Sequence, residues 1–193
     1  MAKFEIHASA VAIGEAGVLI RGASGSGKSR LALALIAAAR GGGAFARLVG
    51  DDRIRLESCN ERLIARGHPL ILGQIEQRGA GILQAPFITA AVIRLVVDIV
   101  PADQALRYPQ PATECAGFRS QDWDFSGLGD VELAGVRVPL LIAPDTAAAA
   151  DLACAMLQHF RLAKFCDAVG AAAFGAWPAA APSLTVGKRK LAK

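Results

Sequence analysis

A chain of 193 residues is long enough for one globular domain with a sizeable core and too short for two of ordinary size. Apolar residues make up 53% of it, yet no uninterrupted apolar run approaches the roughly 18–20 residues of a membrane-spanning helix. The formal net charge is +4, part of it carried by the terminal KRKLAK, and is weak evidence for nucleic acid; an acidic protein partner or phosphate ligands suit it equally.

The opening MAKFEIHASA lacks a basic segment followed by an apolar stretch and a cleavage site, so no export signal is read and a cytoplasmic location is expected. Cys59, Cys115, Cys154 and Cys166 show no CxxC spacing and are read as buried or incidental thiols, neither a zinc site nor a disulfide framework. Phe4 to Ile13 is mostly β-compatible, and Gly14 to Gly17 signals a turn before the apolar Val18-Leu19-Ile20, which predicts two early strands. Ser29 to Arg40, SRLALALIAAAR, is rich in helix formers and is stopped by Gly41 to Gly43. Arg47 to Val49 reads as a buried strand delivering Gly50-Asp51-Asp52, and Arg53 to Ile64 alternates as a hairpin around Ser58 to Glu61.

IEQRGAGIL then reads as a Gly-rich loop, and Val92 to Val100 as an apolar strand. Pro101 to Gly129, with its prolines, glycines and WDF, reads as an irregular surface excursion. Val131 to Ile142 is a strand pair around Gly135, and Thr146 to Val169 an Ala-rich helix with Leu152, Met156, Phe160 and Phe165 among its apolar anchors. Residues 1–169 are therefore expected to form the domain and 170–193 a mobile basic tail.

The segment Gly22-Ala23-Ser24-Gly25-Ser26-Gly27-Lys28-Ser29 fits G-x-x-x-x-G-K-[ST] and has the required context, an apolar strand before and a helix after. Its glycines let successive N–H groups turn inward around an anion at the positive end of the helix dipole. Lys28 would reach the β- and γ-phosphates of ATP and the Ser29 hydroxyl would ligate Mg²⁺. The bland alternative is a Gly-rich strand-to-helix turn with no ligand. Such a loop does not separate kinase, GTPase and mechanical ATPase, and a partner carboxylate is needed. Asp51 and Asp52 end the next apolar strand, which is expected beside the strand of the phosphate loop. One carboxylate would orient magnesium-bound water while the other takes a proton from an incoming hydroxyl.

IHASAV with His7, GVLIRGASGSGKS leading to LVGDD, and IEQRGAGIL occur in the order found in the catalytic domain of bacterial HPr kinase/phosphorylase, and the last is similar to that family's E-x-R-G-x-G-I signature. The chain resembles the short, single-domain form of the family. The resemblance implies an α/β fold of the P-loop type related to phosphoenolpyruvate carboxykinase, often a homohexamer, with ATP as donor, Mg²⁺ as cofactor and the phosphocarrier HPr as protein substrate. It makes Lys28 and Ser29 the nucleotide and magnesium residues, Asp52 the proton acceptor in kinase action and donor in dephosphorylation, Glu76 a second metal ligand, and His7 an active-site residue. Arg78, two residues beyond Glu76, would share its face on an extended segment and meet phosphate oxygens. Two features depart from the family pattern: RGGGAFAR before Asp51 is long, and no downstream Arg-containing loop is found in Pro101 to Gly129, where Arg107 and Arg119 are available.

Two other readings remain open at this point: a small-metabolite kinase, in which His7 has no role, and a nucleotide-sensing regulatory module that transfers nothing. Pyrophosphate in place of ATP as donor is also open.

Overall fold

The computed structural model describes residues 3–104, 129–144, 149, 150 and 153. The elements are β1 (Lys3–Ile6), β2 (Ser9–Ile13), β3 (Ala16–Gly22), α1 (Lys28–Gly41), β4 (Ala46–Gly50), β5 (Ile54–Cys59), β6 (Arg62–Gly67), a short 3-10 turn at Pro69–Ile71, β7 (Gln74–Gln77), β8 (Gly81–Gln84), β9 (Ala90–Ile99), β10 (Gly129–Leu133) and β11 (Val136–Ala143). Among the described residues this is a strand-rich α/β fold with one helix of more than three residues.

The order across the main sheet is β1-β5-β6-β9-β3-β2-β4, and β11, itself paired with β10, joins β9. The long β9 makes this branching possible. Its first residues pair antiparallel with β6, and its later ones pair in parallel with both β3 and β11. Strands buried on both faces must be continuously apolar. Val18-Leu19-Ile20 and Leu95-Val96-Val97 accordingly alternate between two cores. Val18, Ile20, Leu95 and Val97 face α1 through its buried Leu31, Ala32, Leu35, Ile36 and Ala39, a spacing that keeps one stripe of a helix inward. Leu19 and Val96 face the opposite layer with Ile54, Leu56, Leu63 and Val138.

Three expectations are corrected here. The early region holds three strands, because the chain breaks at His7-Ala8 and β1 leaves to pair with β5 while β2 pairs with β3 and β4. The strand carrying the aspartates, β4, lies one strand away from β3, since the β2–β3 hairpin is local and β4 adds to its outer side. IEQRGAGIL is a hairpin, β7 with β8, rather than a loop. The hairpin expected around Ser58 to Glu61 is present as β5–β6, turning on Asn60 and Glu61 with φ 49° and 58°, the two left-handed residues that match the twist of antiparallel strands. The strand pair around Gly135 is β10–β11. Most of the 101–129 excursion, most of the 146–169 helix and all of the 170–193 tail lie outside the described residues, although Ala149 and Ala153 are helical and buried in the core beside α1.

Candidate active site

Strand β3 ends at Gly22 and α1 begins at Lys28, so the phosphate-loop motif spans the carboxyl end of a parallel strand and the amino end of a helix. Gly25 and Gly27 lie at φ 79° and 97°, and the Gly27 cap supplies no side-chain acceptor, so the first N–H groups of α1 are left to a ligand. No acidic side chain stands in the first turn to compete with an anion. Gly22 is required by close approach: a Cβ there would sit 2.6 Å from Ser26 Oγ and 2.8 Å from the Ile99 carbonyl oxygen. Ser26 Oγ is buried without a hydrogen-bond partner among the described residues. Lys28 is only 5% exposed, and its ammonium donates to the carbonyls of Gly22 at 3.1 Å and Ala23 at 3.0 Å, placing a positive charge across the loop. Ala23, Ser24 and Gly25 form the exposed rim.

Asp51 is 3% exposed at the end of β4. It accepts from the Ser29 hydroxyl at 2.9 Å on Oδ2, from the backbone N–H of Glu76 at 3.2 Å on the same oxygen, and from the Ser9 hydroxyl on Oδ1. Although β4 does not neighbour β3, the aspartate therefore reaches the loop's serine from across β2. Asp52 is turned the other way. Its φ is 61°, and the Arg53 N–H folds back onto the Asp51 carbonyl at 2.7 Å, a tight three-residue turn that is rare and strained for a residue with a side chain. The turn leaves the Asp52 carboxylate 47% exposed with Oδ1 3.6 Å from Nδ1 of His7, itself 53% exposed at the break between β1 and β2.

Glu76 enters through its backbone, while its side chain is exposed on β7. Arg78 stands in the turn just past β7, and its guanidinium lies 3.3 Å from where a Cβ on Gly25 would be, so it leans over the phosphate loop. Arg107 and Arg119 lie outside the described residues. Two groups escaped the sequence reading. One is Ser9, a hydroxyl inside the apolar strand ASAVAI, whose inward phase with Val11 and Ile13 was the available signal. The other is the pair Arg21 and Asp98, which face each other in register at the ends of β3 and β9 and join by two short hydrogen bonds of 2.7 and 2.6 Å beside Gly22.

The donor set fits magnesium. The Ser29 hydroxyl and the Asp51 carboxylate are hard oxygens, and among the described residues no group of three or more His, Cys, Asp or Glu side chains gathers around one point. Hard oxygen donors of this kind suit magnesium, which one or two protein oxygens can hold together with substrate phosphates.

The chain belongs to the HPr serine kinase C-terminal domain family, whose model matches residues 1–139. It is similar to the HPr kinase/phosphorylase of Mycoplasma mycoides, 31% identical over 143 residues that cover 70% of this chain and 42% of that protein. It is also similar to the HPr kinase/phosphorylase of Clostridium tetani, 29% identical over 135 residues covering 70% of this chain and 40% of that protein. The chain thus spans less than half the length of these curated relatives. Among solved structures, the Hpr(Ser) kinase/phosphatase from Coxiella burnetii matches with a TM-score of 0.61 and 26% identity, over 83% of this chain and 98% of that one.

Proposed function

We propose that the protein is an ATP- and Mg²⁺-dependent serine kinase of an HPr-type phosphocarrier, with phosphorolysis of the seryl-phosphate as a second activity of the same site. The observation that carries this reading is the split of Asp51 and Asp52. One carboxylate is buried on the loop's serine, and its sequence neighbour is swung outward to where a protein hydroxyl can arrive. A nucleotide-sensing module needs the first but has no use for the second, and a small-metabolite kinase leaves His7 beside Asp52 unexplained. The parallel pairing of β3, β9 and β11, with β3 running into the loop, supports reading the domain as a nucleotide fold of the phosphoenolpyruvate carboxykinase type.

In the forward direction the N–H groups of the loop and of α1 hold the donor phosphates, and Lys28 carries positive charge toward the γ-phosphoryl group. Ser29 and Asp51, with Glu76 available from β7, would hold magnesium, which would supply charge neutralisation for the phosphoryl group in transfer. Asp52 removes the proton of the attacking serine, with His7 steadying its carboxylate, and Arg78 meets phosphate oxygens over Gly25. In reverse, inorganic phosphate attacks the seryl-phosphate, the P–O bond to serine breaks, protonated Asp52 returns its proton to the serine oxygen, and pyrophosphate leaves. The same reading carries a homohexamer in the cytoplasm; among the described residues, no helix is long and apolar enough to cross a membrane.

Incubation with γ-labelled ATP and purified HPr tests it: label on a carrier serine is expected, and Lys28→Ala should reduce the rate by about 10²-fold or more. ATP hydrolysis with an unlabelled carrier, or transfer by Lys28→Ala within threefold of wild type, would overturn it.

A further inference from the structure

Strand β2 runs antiparallel to β4 with Val11 opposite Leu48, yet Ala10 stands opposite Gly50, so Val49 is an extra residue on β4. A bulge of this kind shifts the register beyond it by one and re-aims the following side chains. In an unbroken ladder Ala8 would come to stand across from Asp51. With the bulge, Ser9 does. The side chain of Ser9 is wholly buried, and its hydroxyl donates to Oδ1 of Asp51. Among the described residues the buried polar or charged side chains are Ser9, Lys28 and Asp51, and the last two already belong to the candidate site. Packing does not call for a hydroxyl at position 9, because Ala8, Ala10 and Val11 around it are all fully buried and apolar. A buried hydroxyl without a partner is unfavourable, so the Asp51 contact is what its presence serves.

The carboxylate of Asp51 is therefore held from two sides, by Ser9 from β2 on Oδ1 and by the Glu76 N–H from β7 on Oδ2, while the Ser29 hydroxyl spans both oxygens at 3.2 and 2.9 Å. A carboxylate gripped at each oxygen cannot rotate about its terminal bond. We propose that Ser9 is a positioning residue that fixes the plane of Asp51 against Ser29, so that the divalent cation accompanying the nucleotide meets oriented oxygens without first having to order them. This rests on the reading of the site as a metal–nucleotide site. Partners of ligating carboxylates typically change metal affinity by 10–100-fold when removed. Ser9 acts on cation retention, and metal-free nucleotide, held by the loop amides and Lys28, is indifferent to it.

The test uses the full chain with Mn²⁺ as probe and ATP without carrier protein, Mn²⁺ retention being read by electron paramagnetic resonance and metal-free ATP binding by calorimetry. Ser9→Ala should weaken Mn²⁺ retention in the presence of ATP by about 10-fold and leave metal-free ATP binding unchanged. Ser9→Thr, which keeps the hydroxyl, should restore it, and Ser9→Val, of the same shape without the hydroxyl, should not. Ser9→Ala should add nothing in an Asp51→Asn background. Equal Mn²⁺ retention in wild type and Ser9→Ala overturns the proposal, as does a parallel fall in metal-free ATP binding. A Ser9→Ala chain that fails to fold overturns it too, since the hydroxyl would then be holding up the fold. If wild type itself binds no Mn²⁺–ATP, the metal–nucleotide reading fails first, and the two failures are told apart.

Discussion

Asp52 sits at φ 61° inside a turn closed by the 2.7 Å hydrogen bond from Arg53 N–H to the Asp51 carbonyl, and glycine at this position separates strain from chemistry. A three-residue turn at positive φ strains any residue with a Cβ by about 1–3 kcal/mol, of which the low end already favours glycine. Glycine escapes this but loosens the unfolded chain by about 0.4–1 kcal/mol. The side chain removed is half exposed and only at ion-pair distance from His7, a contact of little stabilising value at a surface. The balance is a gain of about 0.5 kcal/mol for Asp52→Gly, or roughly 1–2 °C in Tm for a chain of this length. Over the same substitution, phosphoryl transfer should fall by about 10²-fold or more if Asp52 is the acceptor proposed for the serine proton. Asp52→Asn is the control: it tolerates the turn, so stability should hold while transfer falls equally. Urea unfolding and transfer from labelled ATP to HPr, run on the same three preparations, decide the matter. An Asp52→Gly protein clearly less stable than wild type would refute the strain argument, and transfer within threefold of wild type would refute the assignment of the proton to Asp52.

Gly22→Ala should destabilise the protein by about 2 kcal/mol or more, read from the denaturant midpoint. Its Cβ would meet the Ile99 carbonyl at 2.8 Å, a backbone atom of β9 that cannot turn aside, and ATP binding should be lost with the loop. Glu57 on β5 is held below the ordinary carboxylate range by its hydrogen bond from Arg66, assisted by Lys3. Its contribution is therefore present above the unfolded carboxylate pKa and is lost as pH falls through the depressed folded value. Glu57→Gln should unfold more readily than wild type near neutral pH and match it in acid, and a stability difference that persists in acid would contradict this.

Where a pattern is local, the sequence carried it. The strand into Gly22, the helix stopped by Gly41 to Gly43, and the hairpins at Asn60-Glu61 and Gly135 all rest on turn chemistry and on side-chain period within about fifteen residues. What failed depends on partners far along the chain. The break at His7 exists because β1 finds β5 near residue 55, and nothing between Lys3 and Ile13 records that partner. The β7–β8 hairpin was missed because β8 is exposed at every residue, so its GILQ shows no alternation to read. Ser9 and the Arg21–Asp98 pair were hidden for a related reason: a polar residue in an apolar strand is explained only by the one opposite it.

The two aspartates show why spacing along the chain could not by itself divide their roles. In an extended strand, adjacent side chains point to opposite faces, and either of Asp51 and Asp52 might have faced the loop. Two structural events settle which one does. The bulge on β4 brings Asp51 round to Ser9 and to the start of α1, where three donors occupy its oxygens. The strained turn then reverses the chain at the next residue, so Asp52 emerges beside His7, outside the grip of those donors. Asp51, fixed by its donors beside the Ser29 hydroxyl, stands where a cation accompanying a nucleotide would be met, whereas the exposed Asp52 stands where an incoming hydroxyl can reach it. On this geometry Asp51→Asn should impair metal-dependent nucleotide binding, and Asp52→Asn should spare it while stopping transfer. A chain in which Asp52→Asn alone abolished Mn²⁺–ATP binding would reverse the two roles.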